Sequence, residues 1–114
     1  MRSSPVEAAL RDIRRHIALA IAFVADAGPE EFRNDMRTVY AVTRCLEIIS
    51  EASRRLPEDV KARHPDIAWK QIAGAGNIYR HEYEDVAAPM IWNTVVFALP
   101  ALGMVVETEI ARLS

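Results

Sequence analysis

The sequence predicts an all-α protein built as an antiparallel four-helix bundle. Apolar residues recur in steps of three and four through four long segments, which is the spacing of one face of a helix. No stretch alternates apolar and polar residues as a half-buried strand does. Short connectors between long helices favour antiparallel neighbours, and 114 residues fit one domain spanning residues 1–114.

The first two predicted helices have clear boundaries. Ser4 is a predicted N-cap with a proline directly after it, and the apolar stripe that follows ends before Gly28 and Pro29. A second helix is predicted over residues 30–56, where Pro57 stops it. The connector 56–65 then has room for one short helical turn.

The third segment, residues 67–86, is predicted as a helix that is broken. Gly74 and Gly76 lie inside its apolar pattern, and each costs about 1 kcal/mol relative to Ala in a helix interior. Glycines at such positions usually mark a bend or a close approach of two backbones. The final helix is predicted over residues 89–113 with a kink at Pro100, because proline removes a backbone donor and crowds the preceding turn.

Composition limits the classes of partner. The net charge is −2 and the pI is near 5.9, so nucleic-acid binding would need a local basic patch. Cys45 is the only cysteine, which precludes an internal disulfide, and its apolar neighbours favour a buried side chain. The N-terminal region lacks the apolar stretch of a secretory signal, so we expect a cytoplasmic protein.

The stretch 87–106 carries no charged residue and is long enough to cross a bilayer. Pro89, Pro100 and Gly103 interrupt it, and no basic cluster flanks it. We therefore expect no membrane span, and instead a helix that is buried on most of its faces.

Polar chemistry concentrates where the apolar periodicity gives way. Asn77, Arg80, His81 and Tyr83 lie close together in the chain. An imidazole can accept and return a proton near neutral pH, so His81 is the candidate acid–base group, and Arg80 is a candidate phosphate ligand. Asp85 follows His81 by four residues, a spacing that would let it orient or charge the imidazole on a continuous helix.

These residues also have structural interpretations. A lone histidine on a helix is more often a surface or hydrogen-bonded residue than a catalytic one. Arg80 precedes Glu84 by four residues, the favoured spacing for a surface ion pair. Arg33, Arg37 and Arg44 share one face of the second predicted helix. With a second cluster on the first helix, Arg11, Arg14 and Arg15, they form either an RNA-facing wall or a solvated face.

A metal site is not predicted. His16, His64 and His81 lie in different segments, and no Glu-x-x-His pair of the di-iron type is present. Glu47 and Glu51 are four residues apart, but Arg44 and Arg55 continue their row, which favours a salt-bridged stripe. No nucleotide-binding glycine motif is present either, so we expect no cofactor.

Several segments, taken in order, resemble a known family. CLEIISEASRRLPEDVKARHPDIAWKQIAG, NIYRHEYEDV and IWNTVVFALPAL together resemble the HepT-like proteins of the HEPN superfamily. The resemblance covers residues 37–113. It implies a HEPN-like four-helix bundle with a short extra helical segment, a homodimer, and the toxin of a type VII toxin–antitoxin system. The partner that it implies is an MntA-like nucleotidyltransferase, which acts as the antitoxin.

The family motif is Arg, Asn, three residues, His, one residue, Tyr. The resemblance implies that its Arg and His cleave RNA without a metal, and that the antitoxin attaches AMP to its Tyr. Asn77, His81 and Tyr83 match the motif, whereas the Arg position holds Gly76. Arg80, one turn later, is the candidate replacement, since helical side chains lean toward the N-terminus and it could reach back over a bare Gly76 surface.

This departure leaves two functions open. One is an active ribonuclease with a 2′,3′-cyclic phosphate product, and the other is a catalytically degenerate dimer that binds RNA or nucleotide. A third alternative, a purely structural helical dimer, leaves the clustered polar residues unexplained. Val96, Phe97 and Ala98 are a second departure, because relatives commonly carry polar residues there. We expect these side chains either to face another chain or to tighten the bundle core.

Overall fold

A computed structural model describes residues 4–113, apart from the side chains of Ile78, Arg80 and Glu84. Its helices are α1 (Pro5–Val24), α2 (Pro29–Arg33), α3 (Met36–Arg54), α4 (Glu58–Ala62), α5 (Trp69–His81), α6 (Glu84–Asn93) and α7 (Leu99–Arg112), with a π-helical segment, Thr94–Ala98, between α6 and α7. No strand occurs within residues 4–113. The prediction of an all-α helical bundle is confirmed.

The long helices pack as antiparallel neighbours. Arg55, at the end of α3, donates to Asp12, near the start of α1, at 3.1 Å. Arg14 on α1 lies 3.6 Å from Glu107 on α7. The core between these helices contains apolar side chains from each of them, including Leu10, Ile13, Val42, Leu46, Ile49, Leu102 and Val106. Cys45 is buried among them, as predicted, and burial raises the pKa of its thiol.

The first half of the chain departs from prediction at two helix ends. The amide of Glu7 donates to Ser4 Oγ at 3.0 Å, which confirms the predicted N-cap. However, α1 ends at Val24, where Ala25 adopts a φ of 49°. The helix predicted over residues 30–56 is two helices, because Asp35 caps α3 through its side chain and separates it from α2.

The connector after α3 is anchored to α7 by a buried carboxylate. Glu109 accepts hydrogen bonds from both Nε and Nη2 of Arg63, and its Oε2 lies 2.6 Å from His64 Nε2. The indole of Trp69, at the start of α5, donates to the His64 carbonyl at 3.0 Å. These contacts fix the connector, including the short helix α4 that was predicted as one helical turn, and set the position at which α5 begins.

The prediction of a broken helix over residues 67–86 is confirmed, but the break does not lie at the glycines. The helix continues through Gly74 and Gly76 to His81, and the break comes at Glu82 and Tyr83. Gly76 instead marks a close approach between helices, the other role expected of such a glycine.

The final predicted helix is disturbed at its proline. A π turn precedes Pro100, in which the Leu99 amide donates to the Thr94 carbonyl five residues earlier. Proline has no amide hydrogen and its ring crowds the carbonyl four residues back, and a wider turn relieves that crowding. A π-helical turn therefore lies directly before Pro100, at the place where the kink was predicted.

Much of this long helix lies on the surface, contrary to the expectation that most of its faces are buried. Val95 and Leu99 are buried, but Val96, Phe97 and Ala98 are exposed, so these three do not tighten the core. By length and composition alone, Asp85–Arg112 could cross a membrane. Only 28% of the most apolar 18-residue stretch within it is buried. Core helices of soluble proteins reach the same length and apolar composition.

Candidate functional site

The junction between α5 and α6 presents the candidate catalytic and modified residues side by side. His81 is the last residue of α5, and its side chain is exposed. Glu82 and Tyr83 follow in extended conformations, with φ, ψ of −97°, 152° and −66°, 152°. Tyr83 is 84% exposed, so its hydroxyl is open to an approaching partner.

Asn77 precedes this junction in the chain, and Asp85 follows it. Asn77 is exposed one turn before His81 on the same face of α5. Asp85 belongs to α6 and lines a cavity of about 410 Å³ together with residues of α2 and α3, among them Arg33. Contrary to the prediction, helical spacing therefore does not place Asp85 beside the imidazole, because no continuous helix joins it to His81.

Gly76, at the position of the motif arginine, faces α3 and is buried. A Cβ added there would lie 3.4 Å from Glu47 Cα and 3.5 Å from Ser50 Cβ. The Ser50 hydroxyl donates to the Ile72 carbonyl at 2.7 Å and accepts from the Gly76 amide at 3.1 Å. Those two backbone groups are four residues apart and would bond to each other in a regular α-helix, so Ser50 bridges one turn of α5.

This contact overturns the picture of a bare Gly76 surface. The glycine is buried against the backbone of α3. It therefore leaves no exposed surface over which a side chain from the next turn of α5 could lie. The side chain of Arg80, the predicted catalytic and phosphate-binding residue, lies outside the described residues.

A groove of about 420 Å³ runs between α3 and α5 beside the buried glycine. It is lined by Arg44, Glu47, Ile48, Glu51, Arg54, Gly76 and Asn77. The predicted salt-bridged stripe is present in part: Arg44 lies 3.4 Å from Glu47, and Arg54 lies 3.9 Å from Glu51. Arg55, predicted to continue that row, pairs with α1 instead.

The arginine wall predicted along the second helix is divided between two helices. Arg33 lies on α2, where it pairs with Glu30 at 3.1 Å. Arg37 and Arg44 are both exposed on α3, two turns apart, but only Arg44 lines the groove with Asn77. The structure thus brings together Arg44, Asn77 and Gly76 from the predicted set.

Two residues of this region were missed by the sequence analysis. Arg54 donates through Nε and Nη2 to the Ala73 carbonyl, at 3.1 and 2.8 Å, and with Ser50 it holds α5 against α3. Ser50 interrupts the apolar face of its helix with a small polar group, which was the one available signal. Among the described residues, no three His, Cys, Asp or Glu side chains are placed to hold a metal ion.

Comparison with known proteins identifies the family of this chain. The sequence profile of the ribonuclease HepT-like family matches residues 10–109, which adds the first helix to the predicted range of resemblance. The chain belongs to the ribonuclease HepT-like family. A protein of Thermococcus cleftensis named "Probable ribonuclease HepT" is 39% identical over 93 residues, covering 82% of this chain and 84% of its own.

Two further relatives come from Methanocaldococcus jannaschii, and both are named as candidate RNases. One is 34% identical over 102 residues, covering 90% of this HepT-like chain and 88% of its own length. The other is 36% identical over 107 residues, covering 94% and 98%. No solved structure matches the chain significantly.

Proposed function

We propose that this HepT-like protein is a metal-independent endoribonuclease, the toxin of a type VII toxin–antitoxin pair acting in the cytoplasm. The observation that carries the proposal is the junction of α5 and α6, where His81 and Tyr83 are exposed together next to Asn77. Membership of the ribonuclease HepT-like family supports RNA as the substrate.

His81 acts as the general base in the proposed reaction. Its imidazole removes the proton of a ribose 2′-hydroxyl, and the 2′-oxygen then attacks the adjacent phosphorus. The bond to the 5′-oxygen of the next nucleotide breaks, and that oxygen takes a proton from water and leaves as a 5′-hydroxyl. The other product is a 2′,3′-cyclic phosphate. A guanidinium near the phosphate stabilises the charge that develops on its oxygens, and Arg80 is the residue of the motif segment that carries one.

Cleavage of single-stranded RNA in the presence of EDTA tests this proposal. We expect the wild type to cut and to leave cyclic phosphate ends, and we expect His81→Ala to lose at least about a hundredfold in rate. His16→Gln is the matched control, because His16 lies on α1, where its Nδ1 is 2.7 Å from the Asp12 carbonyl. Equal rates for the His81 and His16 variants would remove His81 from the mechanism.

We further propose that a nucleotidyltransferase of the MntA type silences the protein by modifying Tyr83. The phenolic oxygen attacks the α-phosphorus of ATP, pyrophosphate leaves, and AMP remains on the tyrosine. The high exposure of Tyr83 supports this step, because the partner must bring its own active site to the hydroxyl. AMP placed two residues from His81 adds bulk and negative charge where RNA would bind.

Labelling by such an enzyme with ATP tests the modification. Wild type and Tyr40→Phe should gain AMP, whereas Tyr83→Phe should not. Tyr40 is a suitable control because it is another exposed tyrosine, located on α3. Label that persists in Tyr83→Phe would place the modification elsewhere.

Gly76 favours a second candidate function, a dimer that binds RNA but does not cut it. The motif arginine is absent, and the glycine in its place serves the contact between α3 and α5. Under this alternative the wild type binds RNA and remains inactive in the cleavage assay. The EDTA experiment therefore separates the two candidates directly.

We also propose that the protein is a homodimer that uses the exposed side of its final helix. Phe97 and Met104 are 72% and 74% exposed, and Val96 and Met90 are also exposed along the same stretch. A soluble chain rarely leaves a continuous apolar strip open to water, and a two-fold pairing covers the strip on both copies at once.

A further inference from the structure

The position of Gly76 limits which residues can supply a guanidinium in place of the missing motif arginine. A side chain at position 76 would begin between Glu47 and Ser50, in the wall of the groove between α3 and α5. The motif arginine of relatives would therefore start from this wall. In this chain the helices are in contact there instead, and a cation for the groove has to be supplied by a neighbouring position.

Arg44 on α3 is the described arginine that meets this requirement. It lines the groove together with Gly76 and Asn77, and its side chain is 70% exposed. Its ion pair with Glu47 is long, at 3.4 Å, so the guanidinium can turn toward an anion. Arg54 also lines the groove, but its Nε and Nη2 are both bound to the Ala73 carbonyl.

We infer that the groove between α3 and α5 binds a phosphate group of RNA through the guanidinium of Arg44, which holds the substrate in the groove, while Arg80 keeps the transition-state role proposed above. This inference rests on the proposed function and assigns its substrate contact. Asn77 offers an amide at the rim of the groove, and His81 follows it by one turn on the same face of α5. Four residues of helix span about 6 Å, so a phosphate beside Asn77 and a ribose beside His81 belong to the same or adjacent nucleotides.

The acidic residues of the groove set the strength of binding. Among the described residues that line the groove, Glu47 and Glu51 oppose the two arginines, so the formal charges of these four side chains cancel. A bound phosphate is therefore attracted by the guanidinium of Arg44 and repelled by the two carboxylates. Removing one carboxylate should tighten RNA binding, which is the opposite of what loss of a purely structural ion pair would do.

Binding of a short single-stranded RNA with 2′-O-methyl riboses tests the site, because that RNA lacks the attacking hydroxyl and cannot be cut. Arg44→Gln should weaken binding about tenfold and make its salt dependence shallower by about 0.7 in logarithmic slope. Glu51→Gln should tighten binding a few-fold. Arg11→Gln is the matched control, since Arg11 is an exposed arginine paired with a glutamate one turn away, on α1.

The outcomes separate this inference from the proposed ribonuclease activity. Equal affinities for Arg44→Gln and Arg11→Gln, or weaker binding by Glu51→Gln, overturn the phosphate site. Cleavage of unmodified RNA is then measured on the same proteins. If the wild type does not cut but the binding pattern holds, the site stands and the ribonuclease proposal fails. If it cuts and Arg44→Gln has unchanged kcat and KM, the ribonuclease stands and the site fails.

Discussion

At the scale of single residues, Glu109 has the largest electrostatic role described in this HepT-like protein. It is 2% exposed in the otherwise apolar inner face of α7, a position where an unpaired carboxylate would be costly. Hydrogen bonds from Arg63 and His64, with their charges, lower its pKa to about 2 despite the opposing effect of burial. Arg112 adds a third basic group at 3.3 Å.

This depressed pKa predicts a loss of stability in acid. The carboxyl of Glu109 titrates near 4.5 when unfolded and near 2 when folded, so its stabilising effect is complete above about pH 4.5. That contribution, on the order of 3 kcal/mol, disappears as the pH falls from 4.5 to 2. Unfolding by urea across this range should show the decline in wild type and a flatter profile in Glu109→Gln.

A matched variant shows which carboxyl causes the pH dependence of the free energy of unfolding. Glu58→Gln removes an exposed carboxylate that lies 3.9 Å from Lys61, so it should keep the wild-type pH profile. At neutral pH, Glu109→Gln should be less stable than wild type by about 3 kcal/mol, because Arg63 and His64 lose their anionic partner. A wild-type slope in Glu109→Gln would show that other carboxyls cause the acid sensitivity.

At the scale of elements, the two glycines of α5 have different environments and predict different substitution effects. A Cβ on Gly74 meets no atom within 4 Å, so Gly74→Ala should stabilise the protein by about 1 kcal/mol, the usual gain within a helix. Gly76→Ala should gain less, because its Cβ would touch Glu47 Cα at 3.4 Å. Thermal and urea unfolding of both variants would measure the difference, and a destabilised Gly74→Ala would argue against a continuous α5.

The sequence predicts the long helices better than their ends. Spacing in steps of three and four identified the apolar faces, because a helix must bury one side whatever its neighbours are. The division at Asp35 was missed although an aspartate is a good N-cap, since the apolar pattern continues across it. The extended residues Glu82 and Tyr83 carry no glycine or proline, so their break depends on tertiary packing that no local signal records.

The candidate site was predicted as a set of residues but not as an arrangement. His81, Tyr83 and Asn77 follow from the motif, and their exposure is compatible with the roles assigned to them. The contact of Gly76 with Ser50 joins positions 26 residues apart, so spacing within one helix cannot reveal it. For the same reason, the sequence does not reveal that Arg44 and Asn77 line one groove, because that depends on how α3 packs against α5.

At the scale of the whole molecule, the final helix has two different sides. Its inner side packs on the core through Leu99, Leu102 and Val106. Its outer side exposes Phe97 and Met104. The ring of Phe97 meets that of Trp92 edge-on, with 6.0 Å between the ring centroids. Only one side of this charge-free stretch is therefore explained by the monomer, and the other side is the surface that we assign to a second copy.

The dimer predicts a single substitution that separates the copies. Phe97→Asp places a charge in the centre of the proposed interface, so it should convert a dimer to a monomer in sedimentation equilibrium while leaving the helical circular dichroism unchanged. Phe23→Asp is the control, since Phe23 is another exposed phenylalanine, near the end of α1, and it should leave the dimer intact. A Phe97→Asp protein that remains dimeric would place the interface elsewhere. A monomeric wild type that floats with lipid vesicles would assign the apolar side to a membrane surface instead, because the same exposed strip would then be covered by lipid.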